Sequence, residues 1–377
     1  MTRALKNMAL AAAALAVTLL VLEGALRATH LFGARVSWTE PDPVVGWRFT
    51  PGRAYWYKGE NDRVITGRIN SLGWRDRERS REKPEHTYRV AVIGDSFVEA
   101  FQVELDSTFV AIAERELTRR LGAPIEVLNL GRSGMTITEE LAVIDEARVG
   151  LDADLIVLVF VPHNDIADMS RETTDNVMRP FVRAAGDGTF AIDNSFAASA
   201  EYRAKRRVNA LKQRSALVSL LAERYNAWRL ARRHARNTPA GDDGGIVGAL
   251  TLCTDAPDPG LAAAYDLWRR VFLGAADELR REGETELLLV TVPVVYDAGE
   301  VDRYRRADPT FDPGFFDRDL SGRYGPYLGL QGAFEERSRA TGRRLHWAHW
   351  NYDGHRLVGG LLARRVAEIH DNMLLDN

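Results

Sequence analysis

The sequence is poor in features that would place the protein in a specialised class. It contains one cysteine, Cys253, so an intramolecular disulfide is impossible and a disulfide-stapled secreted fold is excluded. Neither sign of charge dominates, since 50 Lys and Arg against 53 Asp and Glu give a formal net charge of −3. The overall charge therefore gives no indication of nucleic-acid binding.

Three common site motifs are also missing. The sequence has no Gly-x-Ser-x-Gly elbow, which argues against an α/β-hydrolase. It has neither a P-loop nor a dinucleotide-binding glycine pattern, so nothing indicates a nucleotide cofactor. Its 377 residues, with 45% apolar and 27% charged content, suffice for one large globular domain with additions, or for two domains.

The longest apolar run lies near the N-terminus, at residues 8–22, after Arg3 and Lys6. A basic start followed by such a run predicts either an uncleaved membrane anchor or a removed signal peptide. No small-residue cleavage site follows the run, and no cysteine is available there for lipid attachment. We therefore predict a single-pass anchor within residues 1–32, with Met1 cytoplasmic and the rest periplasmic or extracellular. Secretion after cleavage is the alternative.

Two further segments follow the anchor, and the second contains an insertion. Residues 33–86 carry four tryptophans and four prolines, which predicts a stalk that packs on the main domain rather than a free linker. Residues 87–373 form the predicted main domain. Within it, residues 167–260 are a helical insertion whose arginine-rich helix, near 201–236, is more typical of a solvated face than of a lipid or polyanion site.

Strands and helices alternate through the main domain. A short apolar run at residues 90–93 stops at Gly94-Asp95-Ser96, as a buried strand of a parallel sheet does. Similar runs at 125–130, 155–161 and 287–295, and a short one near 344–347, are separated by helical patterns. This alternation predicts a parallel sheet of about five strands, with helices on both faces.

Chemically useful residues follow these strands. They are Ser96, Gly134, Asn164, Asp353 and His355. Serine is a poor nucleophile until a base takes its proton, and a carboxylate helps by fixing the tautomer of that base. Because one loop can present both Asp353 and His355, we predict a Ser96–His355–Asp353 catalytic unit. The Ser96 and Gly134 N–H groups and the Asn164 amide are the predicted oxyanion donors.

This ordered set resembles the SGNH (GDSL) hydrolase superfamily, which is named for its Ser, Gly, Asn and His blocks. The resemblance rests on Gly94-Asp95-Ser96, Asn129 to Gly134, Asn164-Asp165 and Asp353 to His355, and it covers about residues 88–370. The anchor and the Trp-rich prefix look like those of membrane-anchored bacterial members. Three details depart from the usual pattern: the third block lacks its glycine, the last reads Asp-x-His, and Arg356-Leu357 replaces the Pro or Asn that often follows the histidine.

The resemblance implies a flavodoxin-like three-layer α/β/α fold, a serine mechanism without metal or cofactor, and ester substrates. His346, His349, Asp353 and His355 could instead suggest a metal site, but their spacing fits no standard zinc pattern. His163 is a rival for the role of base, because it directly precedes Asn164.

Three functions stay open at this point. The first is an ester hydrolase that removes an acyl group from a carbohydrate or lipid outside the cytoplasm. The second is a polysaccharide O-acetyltransferase that uses the same site. The third is a non-catalytic glycan-binding protein on the same fold. An ester-bearing small molecule or a polysaccharide is therefore the expected partner, the membrane is contacted through the N-terminal helix, and the oligomeric state is open.

Overall fold

The computed structural model describes residues 2–29, 35–169, 174, 177–184, 190–237, 246–283 and 285–375. The chain divides into two compact units. The helical unit comprises Met1–Pro41 and Ala198–Asp242, and the α/β unit comprises Asp42–Ala197 and Asp243–Asn377.

The described residues form twelve α-helices and eleven strands. The helices are α1 Arg3–Thr29, α2 Ser96–Glu99, α3 Phe109–Leu121, α4 Ile137–Asp145, α5 Pro162–Ala167, α6 Ala200–Lys212, α7 Ala216–Asn237, α8 Pro259–Glu282, α9 Ala298–Ala307, α10 Phe315–Ser321, α11 Gln331–Thr341 and α12 Tyr352–Leu375. The strands are β1 Thr39–Asp42, β2 Gly46–Phe49, β3 Ala54–Lys58, β4 Val64–Arg68, β5 Tyr88–Gly94, β6 Ile125–Gly131, β7 Leu155–Phe160, β8 Phe181–Ala184, β9 Phe190–Asp193, β10 Glu286–Thr291 and β11 Tyr327–Gly329.

Five of these strands make the central sheet of the α/β unit. They are all parallel, in the order β11-β10-β7-β5-β6. Numbered by their sequence within the sheet, this is the 2-1-3-4-5 order of flavodoxin-like folds, whose ligands bind beyond the strand ends where the order reverses. The reversal lies between β5 and β7, so the residues after these two strands border the same crevice.

Helices cover both faces of the sheet, because successive strand residues point to opposite sides. Ala91 and Ile93 join a core with side chains of α4, α8 and α10. Val90 and Val92 join a second core with α3, α11 and α12. The predicted three-layer α/β/α architecture is confirmed, and β5 is interior to the sheet as expected.

The prediction for the fifth strand was wrong. Residues 344–347 contribute only to an isolated bridge between His346 and Trp350, and the fifth strand is Tyr327–Gly329, paired with Leu289–Thr291 of β10. This strand has only three residues, all half-buried, at the sheet edge. Such a short segment lacks the apolar run by which the other strands are found in the sequence.

Residues 42–86 pack into the α/β unit through Trp74 and Arg75. Trp74 is buried in the core beside the sheet. Arg75 is completely buried and donates hydrogen bonds to the carbonyls of Glu99, Ala100 and Val103, all at 2.6–2.9 Å. Since these carbonyls follow α2, the buried arginine fixes the chain directly after the Gly94-Asp95-Ser96 turn.

The helical unit contains α1, α6 and α7. Helix α1 is long and apolar enough to cross a membrane, and it is a candidate transmembrane span near the N-terminus. The single helix predicted near 201–236 is two helices, α6 and α7, because the chain turns at residues 213–215.

Candidate active site

Ser96 is the first residue of α2 and directly follows the turn at the end of β5. The turn needs a glycine at position 94, because a Cβ there would lie 2.7 Å from a Val98 methyl group and 3.1 Å from Val159. The Asp95 carboxylate caps α2 by accepting a hydrogen bond from the Phe97 N–H at 2.9 Å. Ser96 is thereby held at the carboxyl edge of the sheet, as the sequence predicted.

The imidazole beside Ser96 belongs to His349. The Ser96 Oγ and the His349 Nε2 lie 2.8 Å apart, within hydrogen-bonding reach of a general base. His349 lies in the loop between α11 and α12 and packs against Phe97, with ring centroids 4.9 Å apart. The hydroxyl and the imidazole are thus in place for proton transfer.

The other side of the His349 ring is held by Glu60. Its Oε1 lies 2.5 Å from the His349 Nδ1, and its Oε2 accepts from the backbone N–H groups of Ala348 and His349, each at 2.9 Å. Glu60 lies in the turn between β3 and β4. Because the carboxylate holds both the ring and its backbone, it sets the ring orientation and favours the tautomer with its proton on Nδ1.

The positive charge of a protonated His349 and the negative charge of Glu60 stabilise each other. Burial alone would lower the pKa of His349, but the hydrogen bond and negative charge of Glu60, with Asp95 and Glu99, raise it above its usual value. Burial would raise the pKa of Glu60, yet its hydrogen bonds and the His349 charge lower it. Glu60 is therefore a carboxylate that stabilises a protonated His349.

His355, which the sequence predicted as the base, does not contact Ser96. It is fully buried in α12, where its Nδ1 accepts a hydrogen bond from the Phe109 N–H at 3.2 Å. That N–H opens helix α3 and has no carbonyl within its own helix to bond. Burial, with the charges of Arg75 and His349, lowers the pKa of His355 to about 3. The structure thus gives His355 a neutral, helix-stabilising position and corrects the prediction.

Asp353 does not hold the imidazole beside Ser96, contrary to the prediction from the sequence; Glu60 does. Asp353 lies in the first turn of α12 and pairs with Arg356. The helix begins at the Asn351 side chain, which accepts from the N–H groups of Asp353 and Gly354. Gly354 has its own reason to be there, since a Cβ would lie 2.3 Å from the Leu345 carbonyl oxygen. The Asp-Gly-His pattern therefore reflects helix initiation and close packing.

The ring of His163, the rival candidate for the base, lies at the Val294 carbonyl oxygen, 3.0 Å from its Nε2, whereas the imidazole at Ser96 is that of His349.

The predicted oxyanion donors come from three strand ends. Ser96 follows β5, Gly134 lies on the turn after β6, and Asn164 lies in the first turn of α5 after β7. Within the described residues, the N–H groups of Ser96 and Gly134 have no hydrogen-bond acceptor. The Asn164 Nδ2 donates to the Asp95 Oδ2 at 2.7 Å, which leaves its second hydrogen for a ligand.

Two buried side chains hold the Gly134 turn. The Glu99 carboxylate accepts from the Ser133 N–H, and the Arg179 guanidinium donates to the Gly134 carbonyl at 2.8 Å. Gly134 itself has φ +72°, a left-handed conformation that other residues adopt only with strain. Burial raises the pKa of Glu99 to about 7. Arg179 belongs to the segment predicted as an insertion, so part of that segment borders this turn.

A group of buried carboxyls lies behind Asn164. Asp95, Glu140 and Asp165 are all fully buried. Burial raises the pKa of all three; the charge of Asp95 raises the pKa of Glu140 and Asp165 further, and the charge of Glu140 adds to the rise at Asp165. Asp95 has two hydrogen-bond donors, whereas the Glu140 Oε1 and the Asp165 Oδ1 have none in the described chain. Asp95 is therefore the member best suited to carry the charge, whereas burial favours the protonated form of Glu140 and Asp165.

Glu140→Gln should make the protein more stable at alkaline pH. The raised pKa means that the folded state keeps a proton on Glu140 that the unfolded state releases above about pH 4.5. The wild-type protein therefore loses stability as pH rises through that window, and the uncharged glutamine avoids the loss. Thermal unfolding at pH 5 and pH 8 should show the gain at pH 8, at about 2–4 °C per kcal/mol. The exposed Glu85→Gln is the matched control, and an equal gain at both pH values would contradict the prediction.

One group of residues in the described chain could hold a metal ion. Ligand atoms of Asp297, Glu300 and His346 lie within 4.8 Å of one another. The structure does not bring together the metal site considered from the sequence, which included His349 and His355. His349 instead contacts Ser96 and Glu60, and the His355 Nδ1 accepts from the Phe109 N–H.

Sequence reasoning missed His349 and Glu60. His349 had a signal, because it is a histidine four positions before Asp353 in the last block. Glu60 had no local signal, since it precedes its histidine by 289 residues and lies in a segment read as a stalk.

Comparisons with known proteins give distant similarities only. No family model and no curated protein matches the chain. Similar solved structures include a lipase from a goat rumen metagenome, with 12% identity, a TM-score of 0.40, and coverage of 74% of this chain and 97% of the lipase. A catalytic mutant of an acetylxylan esterase from Geobacillus stearothermophilus has 12% identity, a TM-score of 0.39, and coverage of 74% and 94%. A two-domain esterase active on acetylated mannans has 10% identity, a TM-score of 0.36, and coverage of 75% and 50%. By its own residues, with Ser96, Gly134 and Asn164 after successive strands of a flavodoxin-like sheet, the chain resembles the SGNH (GDSL) hydrolases.

Proposed function

We propose that the protein is a serine-type ester hydrolase that acts outside the cytoplasm. The observation that carries the proposal is the chain of contacts from the Ser96 Oγ to His349 and on to Glu60, at 2.8 and 2.5 Å. A hydroxyl, an imidazole and a carboxylate in this order are the parts of a serine nucleophile with its general base.

The first chemical step forms an acyl-enzyme. The Ser96 Oγ attacks the ester carbonyl while the His349 Nε2 takes the hydroxyl proton. Glu60 stabilises the imidazolium that results, because its hydrogen bond and negative charge raise the pKa of His349. The negative charge on the carbonyl oxygen is stabilised by the N–H groups of Ser96 and Gly134 and by the Asn164 amide. His349 then gives its proton to the departing alcohol as the carbon–oxygen bond of the ester breaks.

The second step regenerates the enzyme. Water enters, His349 takes one of its protons, and the resulting hydroxide equivalent attacks the acyl carbonyl. The Ser96 oxygen leaves with the proton that His349 returns, and a carboxylic acid is released. If a polysaccharide hydroxyl replaces water, the same site transfers the acyl group. From the resemblance, the substrate class is a small acyl group on a carbohydrate or lipid.

A chromogenic acetyl ester tests the proposal on the full-length protein in lipid nanodiscs. A hydrolase should release the chromophore, and Ser96→Ala should abolish the release. An acyl group that appears on an added acceptor oligosaccharide, with faster turnover, would instead favour the transferase. No turnover with or without acceptor, together with oligosaccharide binding, would support the non-catalytic alternative and overturn the proposal.

The location outside the cytoplasm rests on α1 as an uncleaved anchor with its basic end inside. Protease added to intact spheroplasts should digest the α/β unit, and a unit protected until lysis would contradict this location.

Asn164→Ala should lower kcat by about 10²–10³-fold, equivalent to roughly 2.7–4 kcal/mol, as deletion of other oxyanion donors does. The change removes a donor but leaves Ser96, His349 and Glu60 in contact, so KM should change much less than kcat. His163→Asn is the matched control, because it alters the preceding side chain, which faces Val294. Equal losses in both variants would argue against a specific role for Asn164.

A further inference from the structure

The start of α7 is tied to α1 by a single carboxylate. Glu23 of α1 accepts hydrogen bonds from the backbone N–H groups of Ala216 and Leu217, at 2.8 and 3.0 Å, and from the Ser215 hydroxyl at 2.8 Å. The first N–H groups of a helix have no partners within it, and a negative charge is favourable there. Glu23 of one helix therefore caps the other.

Apolar contacts reinforce this tie. Leu26 of α1 and Ala216 of α7 are buried together, with Leu217 and Leu220 packed beside them. These contacts lie just past the apolar run at residues 8–22. A spanning helix of about 20 apolar residues would leave the hydrocarbon at this level, so α7 begins where the lipid headgroups lie.

The next part of α7 exposes a face of unusual composition. Leu221 and Tyr225 are each 60% exposed, and Trp228 is 53% exposed. Their spacing of four and three residues puts them on one side of the helix. The rings of Tyr225 and Trp228 lie 5.9 Å apart, and the Arg232 guanidinium lies 4.7 Å from the Trp228 ring. Aromatic and aliphatic side chains flanked by arginine are typical of helices that lie in the membrane interface.

We propose that α7 lies on the membrane surface and binds anionic lipid. Leu221, Tyr225 and Trp228 enter the headgroup layer, and Arg232 contacts lipid phosphates. The solvated arginine-rich face expected from the sequence is thereby assigned a lipid partner. The inference rests on α1 as a membrane anchor, which places the start of α7 at the bilayer. It follows that the segment after the anchor includes a helix held at the membrane surface, α7, and is not a flexible tether throughout.

A spin label can test this, because Cys253 is the only native cysteine and is buried. In full-length protein carrying Cys253→Ser, a nitroxide is attached through Trp228→Cys or Asn226→Cys, both at exposed positions. The two positions lie about 200° apart around the helix. The protein is reconstituted into vesicles of phosphatidylcholine with one quarter phosphatidylglycerol. The label at 228 should be severalfold more accessible to oxygen, relative to a water-soluble nickel complex, than the label at 226.

Equal nickel accessibility at 228 and 226 would overturn the proposal. A third label, through Leu15→Cys in α1, tests separately whether α1 spans the membrane and whether α7 binds lipid. Oxygen-accessible Leu15→Cys with water-exposed Trp228→Cys would keep the anchor and reject the lipid-bound α7, whereas a water-exposed label at position 15 would reject both. Arg232→Gln should reduce the immersion of the label at 228 in anionic vesicles but not in pure phosphatidylcholine, and an equal effect in both would refute recognition of anionic lipid.

Discussion

His349→Ala should lower kcat by about 10⁴–10⁶-fold, the loss seen when a member of a serine catalytic unit is removed. His355→Ala should leave kcat of the folded protein within a few-fold of wild type. The reason is geometric: the His349 Nε2 lies 2.8 Å from the Ser96 Oγ, whereas the His355 Nδ1 is occupied by the Phe109 N–H. The measurement is the kcat of each variant and of the wild type on an acetyl ester, from initial rates normalised to the folded fraction given by circular dichroism.

The order of the two variants should be reversed in stability, with His355→Ala losing more free energy of unfolding than His349→Ala. His355 is fully buried, and its loss leaves a cavity and an unpaired N–H at the start of α3, which together cost about 2–4 kcal/mol. His349 is half-buried, and its loss should cost less. Ser96→Ala combined with His349→Ala should be scarcely slower than either change alone, since members of one unit are not additive. An active His349→Ala protein, or an inactive but folded His355→Ala protein, would refute the assignment.

The sequence was sufficient to predict most of the sheet. Buried parallel strands are recognisable because they bury both faces and so form short apolar runs that end at glycine or polar residues. That pattern located β5, β6, β7 and β10. It missed β11, whose pairing is imposed by β10 and not by its own three residues. Ser96, Gly134 and Asn164 were predicted as site residues on the same basis, because each lies within a few residues of the end of a strand.

The predicted contact between Ser96 and His355 is wrong because the short spacing of Asp353 and His355 was taken as evidence that one loop presents both. Asp353 and His355 lie two residues apart, but both are in helix α12, where such residues point in directions about 200° apart. His349 lies in the loop before this helix, and loops are free to aim a side chain at a neighbouring strand end. Six residues in sequence thus separate the predicted base, His355, from His349, the histidine that the structure brings to Ser96.

Glu60 could not be found from the sequence because tertiary structure alone brings it to His349. It is held in the turn of the β3–β4 hairpin, with Gly59 donating its N–H to the Arg63 carbonyl at 2.7 Å. This hairpin belongs to the Trp-rich segment, which the sequence marked only as one that packs on the main domain. The segment contributes a carboxylate to the site as well as packing, and Arg75 shows the same association at α2.

Glu60→Gln should lower kcat by about 10⁴-fold, as the corresponding carboxylate-to-amide change does in serine proteases. A glutamine can still accept from the N–H groups of Ala348 and His349 through its oxygen. Its NH₂ group would then face the His349 Nδ1, which favours the tautomer with the proton on Nε2. That proton would point at the Ser96 Oγ, and the ring could no longer accept the proton of the hydroxyl.

The pH dependence of the residual activity gives a second, independent measurement. The base works only when neutral, so kcat/KM falls as pH drops through the pKa of His349, which Glu60 raises. Removing the negative charge should lower this pKa and move the acid limb of the profile to lower pH. Glu104→Gln is the matched control, since Glu104 is an acceptor for Tyr352 and Arg63 on the neighbouring surface and does not contact His349. A Glu60→Gln profile that keeps the wild-type acid limb, at a near-normal rate, would show that Glu60 fixes the loop and has no part in orienting the base.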